Sequence, residues 1–263
     1  MTDTAHADTA PHDAPDLDTV VPDGRTPYVA YTEVDVLRAS VHPQTDEPLE
    51  VTFVVVTQIM ELHFLLIEHE WRLAIAALGN DDVATATRAL RRSVANQGSL
   101  LEAWQMLDPM SPVEYARFRD NLGQASGFQS YGYRMLEFMV GVRDANLIRP
   151  NRGMPQVAAA LQAAFDSPSL FDVATDVVRR RSGRDDVVDA WLAAYDDPEL
   201  TELAEVLAAV SDRHSRWRFV HYQAVRRILG DRTGTAGSAG LKWLKRAVDS
   251  PVFPELWEVR ARI

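Results

Sequence analysis

The sequence predicts an all-α fold, a bundle of long helices with short helices packed around it. Three observations carry that expectation. Apolar residues recur at helical spacing through most of the chain. Glycine and proline collect at the ends of these periodic segments rather than inside them. No stretch alternates apolar and polar residues with period two for long enough to make a strand.

The elements follow in order. Residues 1–24 hold six Asp and neither Lys nor Arg, with Ala, Thr and Pro between them. Such a segment buries too little apolar surface to offset its ordering entropy, so it is expected to be a disordered acidic tail. Residues 25–263 are expected to form a single helical domain. Tyr28 to Val41 carries aromatics and leucine suited to docking. Leu49 to Leu78 is a long helix stopped by Gly79-Asn80, and Asp81-Asp82 opens a second that runs to about Leu107. Pro109 and Ser111-Pro112 break the pattern, and Ser111 with Glu114 three residues on is a capping box for a short helix, Tyr115 to Leu122. Gly123 and Gly127 bracket a turn before Phe128 to Val142. Pro155 to Phe165, Leu170 to Arg181 and Val187 to Tyr195 follow. Pro198 to Leu229 is a second long helix, closed by Gly230 just past its end. The glycine-rich loop 230–240 leads into Leu241 to Val248, and Pro254 to Ile263 is the last helix.

Composition narrows the function. Apolar residues make up 46%, enough for a sizeable core. A net charge of −11 argues against nucleic acid or an anionic membrane as the main partner. The absence of cysteine excludes disulfides, zinc–thiolate sites, iron–sulfur clusters and cysteine nucleophiles, and fits a cytoplasmic location. No apolar segment follows Met1, so no secretory signal is expected. Apolar runs such as Val51–Met60 are interrupted by Thr and Gln and are too short to span a bilayer.

Of the seven histidines, His6 and His12 lie in the tail and His42 precedes a proline. His221 shares an apolar helix face with Trp217, Val225 and Ile228. Two readings stand side by side: a core histidine with a satisfied ring N–H, or an axial heme ligand, since an iron porphyrin wants an apolar wall and one neutral imidazole. His63 and His69 are six residues apart, about 120° around a helix, which is poor geometry for one metal ion. HFLLIEH also lacks the His-x-x-x-His spacing of a zinc helix. In GTAGSAGLK, Lys242 is displaced from the position a phosphate-binding loop requires. That loop is either a plain turn or a backbone flap offering the Thr235 and Ser238 hydroxyls to a small ligand. Arg119 lies one turn after Tyr115, either in a surface ion pair with Asp120 or Glu114 or as a bidentate clamp on a carboxylate.

MSPVEYARFRDNLGQASGFQSYGYRMLEF (110–138) and RWRFVHYQAVRRILGDRTGTAGSAG (216–240) resemble the two signatures of the tryptophan 2,3-dioxygenase superfamily, and FVVVTQIMELHFLLIEHE (53–70) resembles its first long helix. The resemblance runs in order from about Tyr28 onwards. It implies an all-helical, usually homotetrameric oxygenase with heme b and O2 as co-substrate, acting on an aromatic amino acid. In that family an N-terminal segment of one subunit completes a neighbour's site, and Tyr28 and Tyr31 match its aromatics. The resemblance makes His221 the proximal iron ligand, with Trp104 at the heme edge and Trp217 beside it. Arg119 becomes the carboxylate clamp supported by Tyr115, Phe53 the ring that packs on the indole, and Thr235 the loop hydroxyl at the ammonium and carboxylate. Departures fall at the distal side. Thr57 stands where the family has a histidine, His63 where it has a tryptophan, and Ala236 and Ala239 replace Gly and Ser in the loop. Thr57 and His63 are therefore the candidate distal groups. The resemblance implies ring-cleaving dioxygenation of tryptophan or a substituted tryptophan. The alternatives are monooxygenation to a 2-oxindole or hydroxylation of another aromatic amino acid, and a heme-binding protein without turnover.

Overall fold

The protein is described by a computed structural model, which covers residues 19–230, 232 and 240–263. Among these residues every regular element is helical. The chain divides into two compact units, Met1–His42 and Pro43–Ile263.

In the first unit, α1 (Pro27–Thr32) starts at Thr26, whose hydroxyl accepts from the Val29 N–H, and α2 (Val34–Ala39) follows through Glu33 in a left-handed conformation. Arg25 pairs with Asp23 and Asp35. Tyr28 and Tyr31 are 67% and 91% exposed. Most of the expected tail lies outside the described residues.

The second unit is built on three long helices: α3 (Pro48–Gly79), α4 (Val83–Ala103) and α10 (Pro198–Leu229), with α3 packed along α4 and α4 along α10. Between α4 and α10 come α5 (Pro112–Arg119), α6 (Tyr131–Met139), α7 (Pro155–Asp166), α8 (Leu170–Ser182) and α9 (Val187–Ala193), and after α10 come α11 (Leu241–Val248) and α12 (Pro254–Arg262). Local signals set many of the boundaries. Asp82 caps α4, the Ser111–Glu114 capping box with Pro112 starts α5, and Asp197 with Pro198 starts α10. The expected extensions to Leu107, Leu122 and Tyr195 are single 3-10 turns instead. Gly230 ends α10 with φ 58° and ψ −146°, a conformation open to glycine although not the left-handed helical one expected.

α3 buries Val56, Met60, Phe64, Ile67, Trp71, Ala74 and Leu78, a stripe at helical spacing that faces the core. Trp71 is fully buried and satisfies its indole N–H on Ser93 of α4 at 3.0 Å. The opposite face exposes Leu62, Leu65, Leu66 and Leu73. By length and composition α3 is long and apolar enough to cross a membrane, although the uninterrupted apolar runs within it are short. α6 crosses α3 at Gly132, where a Cβ would lie 2.6 Å from a Glu61 carboxylate oxygen and 3.2 Å from the Phe64 Cβ. A side chain there would force the Glu61 carboxylate aside and crowd Phe64. The residues after α11 close the core. Val252, Phe253, Leu256 and Val259 are buried, and Ser211 of α10 donates to the Val252 carbonyl at 2.7 Å while accepting from the Trp257 indole at 3.0 Å.

Candidate functional site

α3 carries one cluster near its start and joins a second eleven residues on, a rise of about 16 Å at 1.5 Å per residue. In the first, the half-buried Phe53 ring meets Tyr115 and Phe118 of α5 at centroid distances of 5.9 and 5.6 Å. Tyr115 is buried, which pushes its hydroxyl pKa up, while Arg119 one turn later hydrogen-bonds that hydroxyl and pulls it back. The phenol stays protonated and the guanidinium charged at neutral pH. The Glu114 carboxylate is held by the Ser111 N–H at 2.8 Å within the capping box. The result is a cation set against three aromatic rings. That arrangement suits a ligand with a carboxylate at one end and a ring at the other.

Thr57 lies one turn past Phe53, is exposed, and donates its hydroxyl proton to the Phe53 carbonyl at 2.9 Å. Its only proton is thus committed to its own helix. His63 is held at the interface between α3 and α4. Its Nδ1 meets the Asn96 side-chain oxygen on α4 at 2.5 Å, and the Asn96 amide donates back to the His63 carbonyl at 3.1 Å. These two bonds tie His63 into the α3–α4 interface, a contact between residues 33 apart that helical spacing does not announce.

The second cluster forms where α3, α6, α10 and the 3-10 turn Trp104–Leu107 come together. His221 stacks on Trp104 at 4.6 Å and 14°, and lies 5.3 Å from Trp217. Trp217 in turn meets Phe64 edge-on at 5.6 Å and Tyr133 at 4.5 Å. Burial pushes the His221 pKa down to about 4, and the Arg134 charge adds in the same direction. The ring is therefore neutral at pH 7, and among the described residues it meets only the rings of Trp104 and Trp217. The indole N–H groups of Trp104 and Trp217 have no hydrogen-bond partner among the described residues. A neutral imidazole on an aromatic wall, with no competing hydrogen bond among the described residues, has the donor chemistry a heme iron requires. These residues fit that group.

Beneath this wall lies a polar core that the sequence reading did not single out. Arg134, Glu137, Arg218 and His214 are all buried. Arg218 of α10 donates to the Tyr133 hydroxyl at 3.1 Å and to Glu137 at 3.3 Å. It also donates to the carbonyls of Ala247 and Ser250 at 3.2 and 2.9 Å, so it caps the end of α11. The Tyr133 pKa is pushed up to about 12, first by burial and then by the Glu137 charge. The signal available in the sequence was an Arg-x-x-Glu pair on α6, a helix otherwise apolar on nearly every side.

His214 stacks on Tyr133 at 5.9 Å and 10°, and its Nε2 is buried without a partner. Burial first, then Arg218 and Arg134, hold its pKa well below the usual imidazole range. A base whose folded pKa is lowered stabilises the fold fully above its unfolded value, near 6.5, and loses that contribution as pH falls below it. Unfolding free energy should therefore drop below about pH 6.5 by on the order of 1.4 kcal/mol per unit from this residue alone. H214F should flatten the slope by that amount in urea titrations at several pH values. An unchanged slope would show that His214 is not held neutral.

Thr235 lies outside the described residues. Tyr28 lies in the other compact unit, on α1. The remaining residues singled out from sequence fall into the two clusters: Phe53, Tyr115 and Arg119 in one, Trp104, Trp217 and His221 in the other.

Comparison with known proteins points in one direction. The family model described as tryptophan 2,3-dioxygenase matches residues 12–191 and 192–263. A tryptophan 2,3-dioxygenase of Bacillus cereus is 38% identical over 257 residues, covering 90% of this chain and 92% of the relative. One from Bradyrhizobium sp. is 38% identical over 258 residues with the same coverage. One from Shewanella woodyi is 34% identical over 257 residues, covering 90% of each chain.

Proposed function

Because the chain belongs to the tryptophan 2,3-dioxygenase family, we propose that it is a heme-dependent oxygenase acting at the indole of L-tryptophan or a substituted tryptophan. The observation that carries the reading is the neutral His221 ring on the Trp104–Trp217 wall, with a separate guanidinium, Arg119, set among aromatic rings on α5.

His221 would hold the iron through a ring nitrogen, with Trp104 and Trp217 against the macrocycle. When bound, the heme supplies the activation of O2 and the oxidising chemistry. The protein supplies binding and orientation. Arg119 takes the substrate carboxylate as a two-pronged donor, and its bond to the Tyr115 hydroxyl orients the fork. Phe53 offers a ring face to the indole, and Thr235 a hydroxyl to the polar end. Fixing both ends of a rigid substrate converts binding energy into orientation of the reacting carbons. No ionisable side chain stands at position 57, and the Thr57 hydroxyl proton stays on the Phe53 carbonyl. The indole N–H is therefore not removed by a base at that position.

The test is heme titration followed by turnover of tryptophan under 18O2. A Soret band perturbed by tryptophan, and a product carrying two labelled oxygens, support dioxygenation. One labelled oxygen moves the reading to the monooxygenase alternative, which the absence of a histidine at Thr57 favours by opening space beside the indole. A Soret band indifferent to every aromatic amino acid would leave a heme-binding protein without turnover. Arg119→Ala should weaken amino-acid binding by about 1.5–3 kcal/mol, the range for a hydrogen bond to a charged group. Spectral titration of the heme complex reads this directly, and unchanged affinity would remove the clamp.

The same reading extends to assembly and location: a cytoplasmic homotetramer in which Tyr28 and Tyr31 reach a neighbouring copy. Support comes from their exposure and from Leu62, Leu65, Leu66 and Leu73, exposed on one α3 face. L65E/L66E should lower the mass measured by sedimentation. A monomeric parent protein would end this part of the proposal.

A further inference from the structure

We propose that Glu61 is a positioning residue for the oxygenation: by holding the first turn of α6 it fixes the distance between the ring-binding end of α3 and the iron-binding wall. The proposal rests on the oxygenase reading above and deepens it.

Glu61 lies one turn past Thr57 and two turns past Phe53, so it falls between the two clusters that α3 joins. Its carboxylate accepts from the Ser130 hydroxyl and from the Gly132 N–H, both at the start of α6. Ser130 is the N-cap of α6 and accepts from the Tyr133 N–H at 3.1 Å, so the carboxylate orients the cap as well as the turn. The missing side chain at Gly132 lets the carboxylate come this near. Among the described residues the other polar contact between the two helices is weak, from Arg72 to the Met135 sulfur at 3.7 Å.

A carboxylate is a costly way to join two helices. Glu61 is half-buried, and burial outweighs both donors in pushing its pKa up. Among the described residues no cation pairs with it. An aliphatic side chain would pack α3 on α6 without that cost. What the carboxylate adds is register, because two donors meet it in one arrangement only.

Register matters at this place. Tyr133, next to Gly132, packs its ring on Phe64 at 5.6 Å and on Trp217 at 4.5 Å, and Trp217 lies 5.3 Å from His221. At the other end, Phe53 meets Tyr115 at 5.9 Å. A slip of α6 along α3 therefore moves the His221 wall relative to the Phe53 cluster while leaving the contacts within each intact. A misplacement of about 1 Å between reacting groups costs about a hundredfold in rate.

The experiment compares wild-type holoenzyme with E61A, E61D and E61Q. Soret position, tryptophan affinity by spectral titration and kcat are measured on each, and amide hydrogen exchange on each apoprotein. E61A is expected to keep the Soret position, and tryptophan affinity to within about threefold, while kcat falls by at least about tenfold. Exchange at Gly132 and Tyr133 should quicken by at least about tenfold in E61A apoprotein. E61Q, which keeps the length and one acceptor oxygen, should recover kcat to within about threefold of wild type. E61D, charged but one methylene short, should stay with E61A. Unchanged kcat or unchanged exchange in E61A overturns the proposal. So does a loss of heme or tryptophan binding as large as the loss of kcat, which marks a merely structural residue. Rescue by E61D and not by E61Q overturns it too, because charge would then matter and reach would not. Wild-type protein that binds heme and leaves tryptophan unoxidised refutes the oxygenase reading itself, whereas wild-type turnover matched by E61A refutes only the role of Glu61.

Discussion

Replacing His221 with alanine is expected to remove the iron's protein ligand and, with it, the ligand-field signature of the bound heme. The ring is neutral because burial and the Arg134 charge both oppose its protonation. Among the described residues the ring stacks on Trp104 and meets Trp217 at a tilt, contacts that leave its lone pair available. Alanine removes the donor and leaves the aromatic wall, so an apolar porphyrin face could still be held weakly while the iron would lose its protein ligand. Heme affinity should fall by at least tenfold and the remaining complex should show an altered Soret position. Adding imidazole should restore the band in H221A, because the missing group is small and the space it leaves is bounded by rings. A variant whose absorption matches wild type would return His221 to the alternative reading, a core histidine.

Replacing Glu137 with leucine should destabilise the second unit by about 3–5 kcal/mol, the range for removing one partner of a buried ion pair. Glu137 is 3% exposed and is the carboxylate shared by Arg134 and Arg218. Without it two buried cations face each other across an apolar core. Y133F is the control. It deletes one hydrogen bond to Arg218 and leaves the Glu137 ion pairs in place, so about 1 kcal/mol is expected. Urea unfolding of the two variants separates the terms. A Glu137→Leu loss no larger than that of Y133F would mean that the two guanidinium groups find other acceptors.

The fold was legible where helix signals are local. α10 and α11 begin and end at the residues the sequence indicated, because Asp197, Pro198 and Gly230 act on backbone groups within a turn of themselves. The six-residue helices α1 and α2 were not foreseen. Helices that short show no periodic stripe, and although Thr26-Pro27 is a start signal, α2 begins at Glu33 in a left-handed conformation that composition does not announce. The site divides along the same line. Tyr115 and Arg119 share a helix face by spacing, His221 stood out on an apolar face with two readings open, and resemblance supplied Phe53 and Trp104. The bond between His63 and Asn96 was not legible, because Asn96 lies on another helix. Arg134, Glu137, Arg218 and His214 went unnoticed because charge reads as surface until burial is known.

The closing segment has a consequence for how the protein is made. Val252, Phe253, Leu256 and Val259 fill the core, and Ser211 waits in the middle of α10 for the Val252 carbonyl and the Trp257 indole. During translation these residues emerge after α3, α4 and α10 already exist as chain. The growing polypeptide must hold an open apolar seam until they arrive, a window in which chaperone capture competes with aggregation.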